Sequence, residues 1–348
     1  MTDTLSQISV LCIYSAMGIY AIAFVAFALD LARRSARVTT SAEVPSAVAR
    51  RAEAAASVGA KAPASMAEGG GVTVTSTLTR LTDRVEDEVH RGDEVGRSLR
   101  VAMWLTILGF AFHVVADVLR GVAAGRVPWA NMWEFSMTGT LVIVGVFLLA
   151  NLRWNLRYLG TFVMGLVCIL LMIATVKYYV PVVPLPPALQ SYWLVIHIMV
   201  AILGTAFFAL GFALSGVQLL QVRRERQEAE SRPQQFAFLR TLPKSVTLEN
   251  LAYRVNIVGF ICWTFTLIAG AIWAEKAWGR YWGWDTKEVW TFIIWVIYAG
   301  YIHARATRGW RGSRSAWLAI IGFSAVMFNF GVVNVFFHGL HSYSGLSS

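Results

Sequence analysis

Cysteine is scarce in this chain of 348 residues, with only 3: Cys12, Cys168 and Cys262. All lie in apolar runs, and none is near another. The absence of any Cys-x-x-Cys argues against thioredoxin-like redox chemistry. No Cys-x-x-Cys-His occurs either, so the chain is not itself a c-type cytochrome. Charge is also thin, at 14% of residues against roughly a quarter in ordinary soluble domains. With 57% hydrophobic residues and a mean hydropathy of +0.57, this excludes a soluble domain. The N-terminal Met-Thr-Asp-Thr-Leu-Ser-Gln lacks the basic stretch of a signal peptide. The first apolar run is therefore expected to stay as a membrane helix.

What is there is apolar and helical in length. The expected fold is an all-α polytopic membrane protein with about eight spans. They fall near 8–32, 101–119, 132–150, 158–177, 191–220, 251–274, 287–304 and 315–337, each close to the roughly 20 residues a bilayer needs. With the N-terminus outside, the inner segments hold 23 Lys and Arg and the outer ones 6. The positive-inside rule then puts both termini, and the segment between the sixth and seventh spans, on the outer face of the cytoplasmic membrane. Basic inner loops also account for the net charge of +10, so no nucleic-acid partner is expected.

Three parts are expected: a first membrane helix (1–34), a cytoplasmic linker (35–100) and a core of seven helices (101–348). Residues 35–73 are rich in Ala, Ser, Val and Gly and read as flexible, whereas 76–99 could form an amphipathic surface helix. His90, on that charged stretch, reads as solvated. Four prolines stiffen the outer loop 178–190. Glu134, at the outer end of the third span beside Trp129 and Trp133, is expected to have a partner.

The chain centres on an aromatic loop at 275–290. Residues 278–290 read Trp-Gly-Arg-Tyr-Trp-Gly-Trp-Asp-Thr-Lys-Glu-Val-Trp. Trp278, Tyr281, Trp282, Trp284 and Trp290 supply flat apolar faces, Arg280 and Lys287 supply anion contacts, and Asp285 and Glu288 sit among them. An interfacial belt needs two or three such rings. This density, broken by Gly279 and Gly283, suits a large planar ligand with acidic edges.

Histidines add metal chemistry. His197 lies about 7 Å into the fifth span from its outer end. His338 and His341 follow the eighth span on the same side. Two neutral imidazoles flanking an aromatic platform can fill both axial positions of a haem iron. Arg280 or Lys287 could then meet the propionates. Pattern alone does not separate His338 from His341. His303 ends the seventh span at the inner face, ~30 Å away, and belongs to no outer site. It is either an unliganded interfacial histidine or part of a second, inner haem site completed by another protein. His113, alone in the second span, reads as packing.

The run Trp278 to Asp285 resembles the WWD signature of the haem-handling family of cytochrome c biogenesis. Its supporting segments are Pro128–Glu134, Ser191–His197, Tyr301–Arg305 and Gly339–Tyr343, and the similarity covers about 101–348. The match looks like the system II membrane subunit of CcsA/ResC type. This resemblance implies that His197 and His341 are the external haem ligands and that His303 receives haem b from the inner side. It also implies non-covalent haem transit and attachment by thioether bonds to Cys-x-x-Cys-His of apocytochrome c. The chain would act as a synthase subunit that positions haem, with no catalytic residue separate from the haem ligands. A Ccs1/ResB-type membrane subunit and thiol-reducing proteins are the implied partners. The family usually has proline after the motif's aspartate, where this chain has Thr286. The rivals are a haem-delivery protein serving a chaperone, an electron-transfer cytochrome b and a haem-free membrane transporter.

Overall fold

The computed structural model describes residues 2–59, 96–231, 237–307, 310–337 and 339–341, with side chains throughout these ranges apart from 37–59, 188 and 237. His90, His338, the polar tail from 342 and nearly all of the expected amphipathic stretch lie outside the described residues.

The described residues hold helices and turns, and no strand. The helices are α1 (Thr2–Gly59), α2 (Arg97–Ala124), α3 (Met132–Arg153), α4 (Gly160–Lys177), α5 (Tyr192–Ala229), α6 (Ser245–Trp278), α7 (Thr286–Ala306) and α8 (Ser313–Phe328). A π-helical turn, Asn329–Val333, and a last helical turn, α9 (Asn334–Phe336), continue from α8. Among the described residues, 7 helices are long and apolar enough to cross a membrane. The seventh expected span, 287–304, forms as α7, with 21 residues, but is not among them. Lys287, Glu288, His303 and Arg305 near its ends, and its Trp and Tyr residues, dilute the apolar content. In α1 the spanning portion is Thr2–Ala36, and the helix continues to Gly59 through the start of the expected linker.

Packing divides the bundle in two. α1 packs on α2 and α4, and α4 on α3. α5 packs on α6 and α8, and α7 bridges α6 and α8. The α3–α5 contact joins the halves. Charge is turned inwards: Arg120, His113 and Glu134 are fully buried, while Leu11, Trp104 and Val176 are 65%, 70% and 71% exposed. Such an arrangement suits a bundle surrounded by hydrocarbon rather than water.

Asn131 caps α3 by accepting the Glu134 backbone N–H at 2.9 Å. Glu134 accepts Arg120 at 2.9 Å and Arg126 at 2.7 Å. Arg120 also donates to the Val180 carbonyl at 2.8 Å, which ties the proline loop to α2. The expected partner of Glu134 is thus a pair of arginines. His113 meets the Tyr20 hydroxyl at 3.4 Å and packs edge-on against that ring. The cysteines are all free.

Candidate haem site

The N-terminal ends of α3, α5 and α7 and the C-terminal ends of α4, α6 and α9 enclose a cavity of ≈ 410 Å³. Pockets for small organic ligands run roughly 300–1,000 Å³. His197, Trp273, Lys287 and His341 all line it.

On α5, His197 comes one and a half turns after the Ser191 cap. Its Nδ1 lies 3.0 Å from the Thr266 carbonyl of α6. A carbonyl only accepts, so Nδ1 carries the proton and Nε2 keeps its lone pair. Gly270, one turn past Thr266, makes the recess for the ring, because a Cβ there would stand 2.7 Å from His197 Cε1. Trp273 completes this face of α6. Its ring stacks on His197 with centroids 5.8 Å apart and planes at 12°.

Trp273 also meets His341, edge-on at 5.4 Å, and Trp278 meets His341 at 4.7 Å. His341 Nδ1 lies 3.2 Å from Asp285 Oδ2. That hydrogen bond holds the Asp285 carboxyl well below the usual carboxylate range. Asp285 is also the N-cap of α7, accepting the Lys287 N–H at 3.0 Å, while Glu288 accepts the Asp285 N–H at 3.1 Å. This capping box forms with Thr286 at the first helical position, where proline would also fit. Gly339 lets the last turn approach, since a Cβ there would stand 2.8 Å from the Asp285 carboxylate.

Both imidazoles therefore have Nδ1 engaged by an acceptor. Among the described residues, neither Nε2 has a hydrogen-bond partner. Metal-ligating histidines are held in this way. Among the described residues, no three His, Cys, Asp or Glu side chains converge as a metal site. Two imidazoles alone suit an iron that brings its own equatorial nitrogens, and the aromatic, mostly apolar walls fit a porphyrin.

The loop residues divide. Trp278 packs on Trp273 and His341, with Arg280 over its face at 5.8 Å. Arg280 pairs with Glu288 at 3.1 Å, and a Cβ at Gly283 would run into its guanidinium. Of these two cations, Lys287 is the one lining the cavity, where its Nζ donates to Asn334 Oδ1. Tyr281, Trp282 and Trp284 lie outside the cavity lining and are 64%, 36% and 77% exposed. Trp284 adopts the left-handed backbone region, with φ 59°, immediately before the cap. His303 is exposed near the far end of α7, about 24 Å along the helix from Lys287.

Sequence reasoning missed Thr266, Gly270 and Trp273. Their spacings of four and three residues put them on one helix face, which is the signal that could have found them. It also missed the π-helical turn, a feature frequent at functional sites, which brings Asn329 and Phe330 to the cavity.

A profile described as cytochrome C assembly protein matches residues 129–341, from Trp129 through His341. The CcsA cytochrome c biogenesis protein of Guillardia theta is 34% identical over 255 residues, covering 70% of this chain and 85% of that protein. The corresponding protein of Synechococcus sp. (strain CC9902) is 35% identical over 249 residues, covering 65% and 81%. Among solved structures, the cytochrome c haem lyase CcmF superposes with a TM-score of 0.57 at 15% identity, over 94% of this chain and 46% of that one. That likeness establishes the shared fold. Profile and relatives together place the chain in the cytochrome c assembly protein family, as a CcsA-type, multi-pass membrane protein of cytochrome c maturation.

Proposed function

We propose that the chain holds haem b non-covalently between His197 and His341 and presents it on the outer face of the cytoplasmic membrane. There the haem vinyl groups would take up the two thiols of a Cys-x-x-Cys-His segment of apocytochrome c. The observation that carries this reading is the matched pair of imidazoles. Each lines one cavity, each has Nδ1 tied to a fixed acceptor, and Trp273 lies against both.

The chain's own part is positioning. Thr266 and Asp285 orient the ligands, Trp273 and Trp278 hold the rings apart, and Lys287 offers a cation to an acidic edge. Displacement of one histidine would leave an axial position for the histidine of the apocytochrome. Exposed Tyr281, Trp282 and Trp284 would contribute apolar surface at the mouth.

In this reading α7 also crosses, as the seventh of eight spans, and both termini face out. Residues 1–34 form the first span, 35–100 an inner linker and 101–348 the haem-handling core. His303 then lies at the inner face, and its exposure leaves it free to meet a ResB-type subunit that completes an inner haem site. Thiol-reducing proteins would keep the apocytochrome cysteines reduced, because the cysteines of this chain are dispersed.

The test is absorption spectroscopy of the purified protein, with and without the partner subunit. A bis-histidine haem spectrum, lost or weakened in His197→Ala and His341→Ala, is expected. A colourless wild type from haem-replete cells in both preparations would overturn the reading in favour of a haem-free transporter.

A further inference from the structure

Lys287 is a cation without a counter-ion. It lines the cavity with His197 and His341, and among the described residues no carboxylate pairs with its ammonium. The nearest acids along the chain are engaged. Asp285 accepts from His341 and from the Lys287 backbone N–H, and Glu288 takes Arg280 with the N–H groups of Gly283 and Asp285. The Lys287 Nζ donates instead to Asn334 Oδ1. Both residues are half-buried and both line the cavity, so this contact is not sealed in the core. An amide oxygen occupies one of three ammonium donors and leaves the charge in place. A charge against mostly apolar walls calls for an anion.

Asn334 reaches Lys287 because of the π-helical turn. On α7, Thr291 follows Lys287 by four residues, so the two share a face. Asn329 Nδ2 donates to Thr291 Oγ1 at 3.5 Å, and Asn334 meets Lys287. Residues five apart on the C-terminal segment thus match residues four apart on α7. An α-helix returns to one face after three or four residues, whereas the turn at Asn329–Val333 holds one more. In an unbroken α-helix Val333 would take the place of Asn334 and offer no acceptor. The acceptor that the turn supplies is also neutral. A carboxylate there would hold the ammonium equally well but cancel its charge.

Resting on the haem reading above, we propose that Asn334 is a positioning residue. Through the π-helical turn it holds the Lys287 ammonium at the cavity wall, still charged, to receive a carboxylate of the bound porphyrin. The ligand class is a porphyrin with a free acidic edge, and the site favours the acid over its ester, because an ester oxygen carries no charge.

The experiment titrates metal-free protoporphyrin and its dimethyl ester into detergent-solubilised protein and reads tryptophan quenching, which is independent of iron ligation. Wild type should prefer the acid by about tenfold or more. Asn334→Asp keeps an oxygen on Lys287 and supplies an internal counter-ion, while Asn334→Leu removes the acceptor. Each should lower the acid-over-ester ratio at least about fivefold. Lys287→Met should lower it as far, and Asn334→Leu added to Lys287→Met should lower it no further. A wild-type ratio near one, a wild-type ratio retained by either folded Asn334 variant, or a full further loss in the double variant overturns the proposal. A role confined to packing would shift both affinities together and leave the ratio unchanged. His197→Ala tests the haem reading separately, as it should remove the bis-histidine spectrum of added haem while leaving the acid-over-ester ratio in place. If wild type binds neither porphyrin, both readings fall together.

Discussion

His197 and Gly270 face each other across the α5–α6 contact with no room for a methyl group between them, because a Cβ on Gly270 would stand 2.7 Å from His197 Cε1. The glycine is the recess that lets the imidazole reach the Thr266 carbonyl and lie flat on Trp273. Gly270→Val should therefore push the ring off both partners while α6 stays helical. The expected outcome is an approximately tenfold or greater loss of haem affinity, as for other supports of a metal ligand. Haem titration followed by absorption, with helicity as the control, checks it.

Asp285 is bound to His341 and also caps α7. Asp285→Asn keeps a capping oxygen and removes the negative charge behind His341. A less basic ligand stabilises ferric iron less, so the haem midpoint potential should rise and affinity should fall by about 10–100-fold. Redox titration of the bound haem tests the first, and competition with a soluble haem-binding protein tests the second. An unchanged potential would mean that His341 does not ligate iron.

Lys287 lines the cavity and Arg280 is engaged by Glu288, so the two cations should behave differently. Lys287→Met should weaken haem binding by about tenfold, the order expected for a lost charge-assisted contact. Arg280→Met should leave intrinsic haem affinity within about twofold and act chiefly on the loop. Equal effects of the two substitutions would remove Lys287 from the proposed site.

Glu134 balances two arginines, one of them with a fully buried side chain. Glu134→Ala strands the Arg120 guanidinium without its carboxylate and frees the Trp129–Asn131 loop. Breaking a buried pair from one side typically costs about 3–5 kcal/mol. A large drop in the thermal midpoint, measured in detergent by tryptophan fluorescence, is expected. A double substitution that also makes Arg120 apolar should recover part of that loss.

Much of this architecture was legible in the sequence because lipid demands it. Apolar runs of spanning length located the long helices, although α1, α2, α5 and α6 run well past the expected ends, and α7 forms where expected but is too polar to count as a span because its ends are charged. The placement of His197 and His341 on one side was legible for the same reason: helix lengths set depth. The roles of the aromatic loop were not. Composition predicts that Trp282 and Trp284 belong near a ligand, but only the structure shows that the cavity wall is made by Trp273, about one and a half turns inside α6, with those rings exposed. Nor does pattern reveal that Thr266 and Asp285 engage the histidine Nδ1 atoms, since neither contact is local in sequence.

His303 provides the last and most discriminating prediction. It is exposed near the far end of α7, roughly 24 Å along the helix from Lys287, and lies outside the cavity lining. No haem held at the His197–His341 site can touch it. His303→Ala should therefore leave stability unchanged, and purified protein loaded with haem in vitro should show the wild-type affinity and spectrum. In cells that express the partner subunit, the same substitution should lower the haem that co-purifies, because supply from the inner side is interrupted. The contrast between the two preparations separates a role in delivery from one in ligation. Loss of haem binding in vitro would mean that His303 acts on the outer site through the fold. Full occupancy in both preparations would mean that haem reaches the His197–His341 site by a route that bypasses the inner end of α7.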